Sequence, residues 1–203
     1  MEFKKNHIIN CVSIFQDFII LHYINIMSKV LKFSDVVIED LSYENPTNNE
    51  SFEYLASETT GNLVFQLPEM KVYSDGVYQE YGVHYFDLLL GKSDKKLYDF
   101  LTRLDAHNID FVTKNSQSWY EKNIEKDIVE HFYQNSIESK NKLPIMRIYL
   151  NDKTHDVNLI EKNKNVTLNV ELTGLITKKQ FLGNLLTLHS FVEKNLGLPV
   201  VRT

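Results

Sequence analysis

The hydrophobic pattern of the sequence changes period twice, and this change most constrains the fold. Six short segments are β-branched or alternate between apolar and polar residues, as strands do: residues 30–41, 63–73, 83–90, 145–150, 166–172 and 185–192. Between the third and fourth segments, apolar residues instead recur at helical spacing. Strands, two helices and then strands again predict a mainly β barrel or sandwich with two inserted helices.

The two helices are predicted from apolar stripes at a period of 3.6 residues. The first covers Lys95 to Phe111, with Ser93 or Asp94 as N-cap. Its stripe consists of Leu97, Phe100, Leu101, Leu104 and Phe111. The second covers Asn123 to Gln134, and its stripe consists of Ile124, Ile128 and Phe132, with Val129 beside them. Both stripes are interpreted as core rather than as ligand contacts.

Turn residues divide the strand segments. Pro68 lies inside the segment Leu63–Tyr73 and predicts an edge position or a bulge, because proline cannot donate a hydrogen bond to a sheet. Ser74-Asp75-Gly76 predicts a turn before the next strand, and Asn45–Asn49 predicts a loop.

The sequence lacks the common catalytic and cofactor motifs. The single cysteine, Cys11, excludes an intramolecular disulfide and a cysteine zinc site. No phosphate-binding GxxxxGK[ST] loop, GxGxxG or GxSxG motif occurs, and the seven histidines never stand three or four residues apart. We therefore expect no enzyme activity, no cofactor and no metal site.

The first 26 residues have a basic start and an apolar centre, interrupted by Gln16 and Asp17. We interpret 1–26 as a dispensable extension or an over-extended start, with Met27 opening the functional protein. The alternative is a hydrophobic arm or membrane anchor. Residues 27–196 are predicted to form a single domain, and 197–203 a C-terminal tail.

Charge is unevenly distributed along the chain, whose net charge is −5. Residues 140–203 contain ten lysines and arginines against five aspartates and glutamates. This basic third could face a polyanion, although chance segregation on a solvated surface explains it equally well. Only Arg103, Arg147 and Arg202 are arginines. Because lysine makes poor bidentate contacts to bases, polyanion binding is expected to be indifferent to sequence.

Aromatic residues lie beside basic ones in three places. Binding a single nucleic-acid strand requires such a combination, since bases stack on rings while cations contact phosphates. Of the 24 aromatic residues, 11 are tyrosine, and the densest cluster surrounds the turn at residues 74–76. The candidate nucleic-acid-binding residues are Lys71, Tyr73, Tyr78, Tyr81, Trp119, Arg147, Lys178, Lys179 and Phe181. Trp119 and Phe181 also suit a core, and Lys178 and Lys179 also suit a solvated surface.

Three stretches of the chain resemble the phage-type single-stranded-DNA-binding proteins of nucleo-cytoplasmic large DNA viruses. LVFQLPEMKV (63–72) is similar to that family's strand with a Gln-x-Pro element. Residues 97–137 are similar to its helix, Trp-aromatic step and second helix, and 170–192 to its closing strands with Lys-Lys-x-Phe. The chain departs from the family in lacking an acidic tail and a tryptophan in the last strand, where Phe181 or Leu185 could substitute.

The resemblance implies an OB-like antiparallel β-barrel that coats single-stranded DNA in viral DNA replication, recombination or repair. The expected partners are single-stranded DNA and viral replication proteins. The expected location is inside the host cell, in the cytoplasm or nucleus, or in the virion. The alternative is a viral structural or assembly protein that does not bind nucleic acid.

Overall fold

The computed structural model describes residues 30–49, 54–80, 83–91, 94–150, 159–178 and 181–192. Six strands precede the helices: β1 (Leu31–Lys32), β2 (Thr47–Asn49), β3 (Tyr54–Gln66), β4 (Met70–Val72), β5 (Tyr78–Glu80) and β6 (Val83–Leu89). The helices are α1 (Lys95–Tyr120) and α2 (Lys126–Phe132). Six strands follow: β7 (Tyr133–Gln134), β8 (Ile137–Lys140), β9 (Leu143–Leu150), β10 (Asn165–Val166), β11 (Leu168–Lys178) and β12 (Phe181–Phe191). The proposed extension 1–26 and tail 197–203 lie outside the described residues.

The strands form one curled sheet that makes a half-barrel. Its order is β1-β3-β11-β12-β9-β6-β4-β10, with β2, β5, β7 and β8 added at its sides. The mainly β fold with two helices is therefore confirmed. The expectation of an antiparallel barrel is confirmed only in part, because the sheet is mixed: β1 runs parallel to β3, β7 to β12, and β12 to β9 at Thr187 and Tyr149. The direction of β12 relative to β9 follows from the other pairings. β3 and β12 both run antiparallel to β11, and β4 and β9 both run antiparallel to β6. Because β4 continues the direction of β3, β12 and β9 run in the same direction.

Two continuous stretches of the chain, β3–β4 and β10–β11, each contribute strands near both ends of this strand order. β11 pairs with β3, and β10, which directly precedes β11, pairs with β4, which follows β3. The Leu67 N–H donates to the Leu168 carbonyl at 2.8 Å and links the two pairings. The sheet therefore curls far enough for the stretch β3–β4 to pair with the stretch β10–β11 near both ends of the strand order.

Pro68 lies at the break between β3 and β4, as predicted for a residue that cannot donate to a ladder. The pairing continues across the break with a shift of one residue, from Gln66 opposite Asn169 to Met70 opposite Val166. The shift bends the chain between β3 and β4. These two strands follow each other in sequence but lie on different sides of the curled sheet.

The main core fills the inside of the curl. Phe86 and Leu88 of β6, and Met146 and Ile148 of β9, are fully buried there. Leu97, Leu101 and Leu104 of α1 pack against the same cluster. Side chains alternate across a strand, so the neighbours of these β6 and β9 residues face the opposite side of the sheet. That outer side carries the candidate site.

Several local expectations need correction. Residues 30–41 form only the short β1 and then two 3-10 turns, Phe33–Asp35 and Ile38–Asp40. Part of the predicted loop, Thr47–Asn49, pairs with β3 as a strand. The apolar stripe that was predicted for the second helix is also incorrect in part: Val129 is buried, but Ile128 and Phe132 are exposed. The helix α2 is too short to place three turns against the sheet, so only one of its apolar residues, Val129, reaches the core.

Neither helix in the described part of the chain combines the length and apolar character needed to cross a bilayer.

Candidate nucleic-acid interface

Three tyrosines form a row across three neighbouring strands on the outer side of the sheet. Tyr78 of β5 pairs with Tyr85 of β6, and Tyr85 pairs with Tyr149 of β9. Their ring centroids are 5.7 Å and 6.3 Å apart, with the rings tilted. Residues paired across strands point to the same side, so the register of the sheet builds this row. We call Tyr78, Tyr85 and Tyr149 the tyrosine row.

Two cations lie over the rings of this surface. The Arg147 guanidinium carbon is 3.8 Å from the Tyr85 ring centroid. The Lys140 ammonium is 5.2 Å from the Tyr78 centroid and 5.8 Å from that of Tyr73. Arg147 covers Tyr85, which is only 9% exposed, whereas Tyr73, Tyr78 and Tyr149 are half-buried. The surface accessible from solvent therefore consists of rings and a guanidinium plane.

Asp87 holds both cations in place. Its carboxylate is fully buried and accepts hydrogen bonds from Lys140 Nζ at 3.2 Å and Arg147 Nε at 3.3 Å. Burial is the largest single influence on Lys140 and lowers its pKa, but the hydrogen bond to Asp87, the Asp87 charge and the nearby tyrosines together outweigh burial, and the pKa lies above its ordinary value. Burial likewise opposes the charge of Arg147, and the nearby Glu138 and Asp87 raise its pKa overall. Both groups remain charged.

The turn before β5 is fastened to the same strand. The backbone N–H groups of Tyr73 and Ser74 both donate to the Asp87 carbonyl, and the Asp87 N–H donates to Ser74 Oγ. Gly76 has a φ of 92°, a left-handed conformation that favours glycine. The Asp75 N–H donates to the Tyr78 hydroxyl at 3.3 Å. These contacts fix Tyr78 relative to Asp87.

A cleft opens beside the row where β9 and β12 diverge. The two strands pair only at Tyr149 and Thr187, and β7 pairs with Leu182 and Gly183 of β12 farther along. The residues lining the cleft come from three segments: Gln134, Asn135, Ser136, Glu138, Arg147, Tyr149, Gly183, Asn184 and Leu186. Tyr149 thus belongs to both the tyrosine row and the cleft, and Arg147, which covers Tyr85, also lines the cleft.

A buried polar network forms the back of the cleft. Asp105 of α1 accepts hydrogen bonds from the Tyr133 hydroxyl, Asn184 Nδ2, and both the Ser136 hydroxyl and N–H. Asn108, one helical turn later, donates to the Tyr133 hydroxyl and Asn184 Oδ1. Burial raises the pKa of Asp105 to about 6, although these hydrogen bonds favour its charged form. The network joins α1 to the strands that line the cleft.

Of the residues predicted from the sequence, Tyr73, Tyr78 and Arg147 lie together on this surface. The Tyr73 hydroxyl accepts a hydrogen bond from Asn141 Nδ2 at 3.0 Å, which attaches it to the turn between β8 and β9. Lys71 is exposed on β4, two residues before Tyr73.

The other predicted residues do not join the row. Trp119 lies in the last turn of α1 rather than in a connection, and its ring packs 5.7 Å from that of Phe111 in a second apolar cluster. Lys178 ends β11 and pairs with Phe181 at the start of β12. Tyr81 and Lys179 lie outside the described residues.

Sequence reasoning missed Lys140, Tyr149 and Asp87. Tyr149 follows Arg147 by two residues in a predicted strand, and this spacing places both on one side. The sequence contained that signal. Nothing local marks Lys140 or Asp87, because they meet Arg147 through the pairing of separate strands.

No protein-family model matches the chain, and no curated protein matches it.

Proposed function

We propose that the protein binds single-stranded nucleic acid without strong sequence preference, using the tyrosine row and its two cations. The arrangement of Tyr78, Tyr85 and Tyr149 with Arg147 carries the proposal. It offers ring and guanidinium planes side by side on adjacent strands, and unpaired bases stack on such planes. The viral role in replication, recombination or repair rests on the sequence resemblance alone.

Topology supports an OB-type barrel. Counting β3–β4 and β10–β11 as single bent strands gives five strands in chain order: β3–β4, β6, β9, β10–β11 and β12. In OB folds, oligonucleotides bind to the face of the second and third strands and to the loops between strands one and two and between strands four and five. Here β6 and β9 carry Tyr85, Arg147 and Tyr149. The first of those loops carries Tyr78.

The second loop is the turn between β11 and β12. Lys178, the last residue of β11, directly precedes it, and Lys179 follows Lys178 in the sequence. This position supports the lysine pair as part of the proposed binding surface.

Local charge indicates that stacking rather than phosphate attraction dominates at the row. Lys140 and Arg147 face the carboxylates of Asp87 and Glu138, so the four charges nearly balance. Stacking contributes roughly 1–3 kcal/mol per base. Lysines outside the row, such as Lys71, would then supply most contacts to phosphate.

The test is fluorescence anisotropy with a labelled thirty-residue oligothymidine at two salt concentrations. Tyr78→Ala is expected to weaken binding about tenfold, since it removes one stacking ring. Tyr78→Phe keeps the ring and should bind like the natural protein. Tyr98→Ala is the matched control, because Tyr98 is an exposed tyrosine on α1 outside the row.

Unchanged affinity in a folded Tyr78→Ala protein would contradict the proposed interface. Absence of binding by the natural protein at moderate salt would contradict nucleic-acid binding itself. Thermal unfolding of each variant separates lost stacking from lost structure.

An interaction protein without nucleic-acid binding is the second candidate. It is favoured by Ile128 and Phe132, which lie one turn apart on α2 and are 47% and 43% exposed. If the protein binds single strands, removing both side chains would leave its affinity for oligothymidine unchanged. If it is an interaction protein, removing them would abolish its recovery with viral particles.

A further inference from the structure

Two apolar side chains are exposed next to each other on α2. Ile128 and Phe132 lie one helical turn apart and are 47% and 43% exposed, so they form one small surface. We call these two residues the α2 patch. Val129, on another side of the helix, is buried in the second apolar cluster and attaches α2 to the fold. Because the helix is already fixed, covering the α2 patch with a second protein surface costs little conformational entropy.

The surroundings of the α2 patch are acidic. Glu125 precedes Ile128 by three residues and so lies on the same side of the helix, and Asp127 is the next-door neighbour of Ile128; both carboxylates are exposed. The lysine of α2, Lys126, is directed elsewhere, with its Nζ 2.7 Å from Asp110 Oδ1. An apolar side chain beside a cation would therefore complement this surface in both shape of contact and charge.

Such a combination occurs on the same chain, at the turn between β8 and β9. Lys142 is exposed in this turn, and Leu143 beside it is 43% exposed. Lys140, which ends β8, is bound to the buried carboxylate of Asp87 at 3.2 Å. Lys142 is therefore the cation that this turn can offer to another surface.

We propose that the α2 patch of one copy of the protein binds the turn between β8 and β9 of a second copy. Leu143 packs on the α2 patch, and Lys142 lies beside Glu125 and Asp127. Within one chain, α2 leads through β7 to the start of β8 and the turn follows its end, and the four residues of β8 span about 13 Å. The contact thus joins two different surfaces and is head-to-tail.

The proposed contact is small and does not involve the tyrosine row. Three apolar side chains and one cation bury far less than about 1,200 Å², the area below which protein complexes are weak or transient. We expect a dissociation constant on the order of 100 µM. Each pair leaves an unused α2 patch at one end and an unused turn at the other, so further copies can add.

Sedimentation velocity of the full chain without nucleic acid tests the contact, over a concentration series that reaches about 500 µM. The mean sedimentation coefficient should rise with protein concentration, and the rise should be smaller at high salt, which screens the charges. Replacing Ile128 and Phe132 together with serine should abolish the rise. Val37→Ser is the matched control, because Val37 is a 55% exposed apolar residue outside the α2 patch.

Charge reversal tests which surfaces meet. Lys142→Glu and Glu125→Lys should each weaken the association about tenfold, since each places like charges together. The two changes combined in one chain should restore it, because every contact again joins opposite charges. The Glu125 side chain makes no hydrogen bond at the N-cap of α2, so its replacement removes no cap. Lys162→Glu, at an exposed lysine outside the turn, should associate like the natural protein.

A mixture of two defective variants tests the head-to-tail arrangement. The double serine variant keeps its turn and Lys142→Glu keeps its α2 patch, so together they should form pairs but no longer assemblies. If the natural protein stays monomeric at the highest concentration, the proposal is overturned. It is also overturned if Lys142→Glu associates fully while the serine variant does not, because the contact would then join two α2 surfaces.

The charge-reversal pair keeps the test decisive if thermal unfolding shows that the double serine variant has lost its structure. No nucleic acid is present in these experiments, so a failure of this contact is separate from a failure of the proposed strand binding.

Discussion

Asp105 is the residue whose protonation bears most directly on stability. Burial raises its pKa to about 6 from the ordinary value of 3.8, even though four hydrogen bonds favour the charged form. The groups that face it from α1, β7, residue 136 and β12 are Asn108, Tyr133, Ser136 and Asn184, all uncharged. Burial also raises the pKa of Tyr133 well above its usual range, so this hydroxyl stays protonated and keeps donating. Ionising Asp105 therefore costs free energy in the folded state.

This shift predicts a pH dependence of stability. A carboxyl group whose pKa is raised on folding stabilises the protein fully below the unfolded pKa, and that contribution is lost as pH rises through the folded pKa. Between pH 4 and pH 7, the free energy of unfolding should fall by about 2 kcal/mol on account of Asp105.

Urea unfolding at several pH values measures this fall. The difference between the natural protein and Asp105→Asn isolates the contribution, because all other titratable groups are the same in both proteins. Asp99→Asn, at an exposed position of the same helix, is the control and should follow the natural protein. A parallel pH profile for Asp105→Asn would show that Asp105 does not titrate in this range.

Individual residues also show what sequence reasoning can reach. Asp105 and Asn108 interrupt the apolar stripe of α1 on its buried side, next to Leu101 and Leu104. Polar residues on such a stripe indicate a buried network. Their partners Tyr133, Ser136 and Asn184 come from distant segments, so the sequence could indicate that a network exists but not what completes it.

At the scale of elements, α1 contributes most to the core. Its stripe was predicted from the sequence as far as Phe111, but the helix continues to Tyr120. The last nine residues contain few apolar positions, yet Val112 and Ser116 remain buried. Ser116 Oγ accepts a hydrogen bond from the Ile124 N–H, so a polar side chain packs the helix against the connection to α2. The spacing of apolar residues in the sequence does not reveal a packing contact that is made by a polar side chain.

Truncation of the α1 stripe should destabilise the whole protein. Leu104 is fully buried in the main core, and Leu104→Ala is expected to lower the free energy of unfolding by about 2–5 kcal/mol. Lys114→Ala, on an exposed position of the same helix, should change it by less than about 0.5 kcal/mol. Denaturant unfolding measures both. Equal stability of the two variants would show that α1 does not share the main core.

At the scale of the whole molecule, the sheet register builds the candidate site. Tyr78 and Tyr85 were near enough in sequence to be recognised together. The third ring, Tyr149, and the cation Lys140 come from beyond both helices and arrive through the pairing of β6 with β9 and β9 with β8. Alternation predicts which side of a strand a residue faces, but it does not predict which strand lies beside it. The strands could be predicted from the sequence, but predicting the tyrosine row would also have required the order of the strands in the sheet.

Charge on the whole molecule leads to the last prediction. The chain carries a net charge of −5, and the cations at the row are balanced by Asp87 and Glu138. Salt-sensitive attraction of a strand must therefore come from lysines elsewhere. Under the proposed OB-type topology, the candidates are Lys178, the last residue of β11, and Lys179, which follows it in the sequence. Each phosphate contact contributes about 0.7 to the slope of log affinity against log salt. Replacing both lysines with alanine should reduce that slope by about 1.4.

The control for this experiment must change charge equally and at another place. Lys95 and Lys96 are exposed in the first turn of α1, so replacing both with alanine lowers the net charge by the same amount away from the tyrosine row. If attraction depended only on net charge, both double variants would lose the same slope. If Lys178 and Lys179 contact phosphates, only their replacement changes it, because screening confines the effect to charges within about 10 Å of the strand. Anisotropy titrations of oligothymidine at three salt concentrations distinguish the two, and equal slopes for all three proteins would remove this turn from the interface.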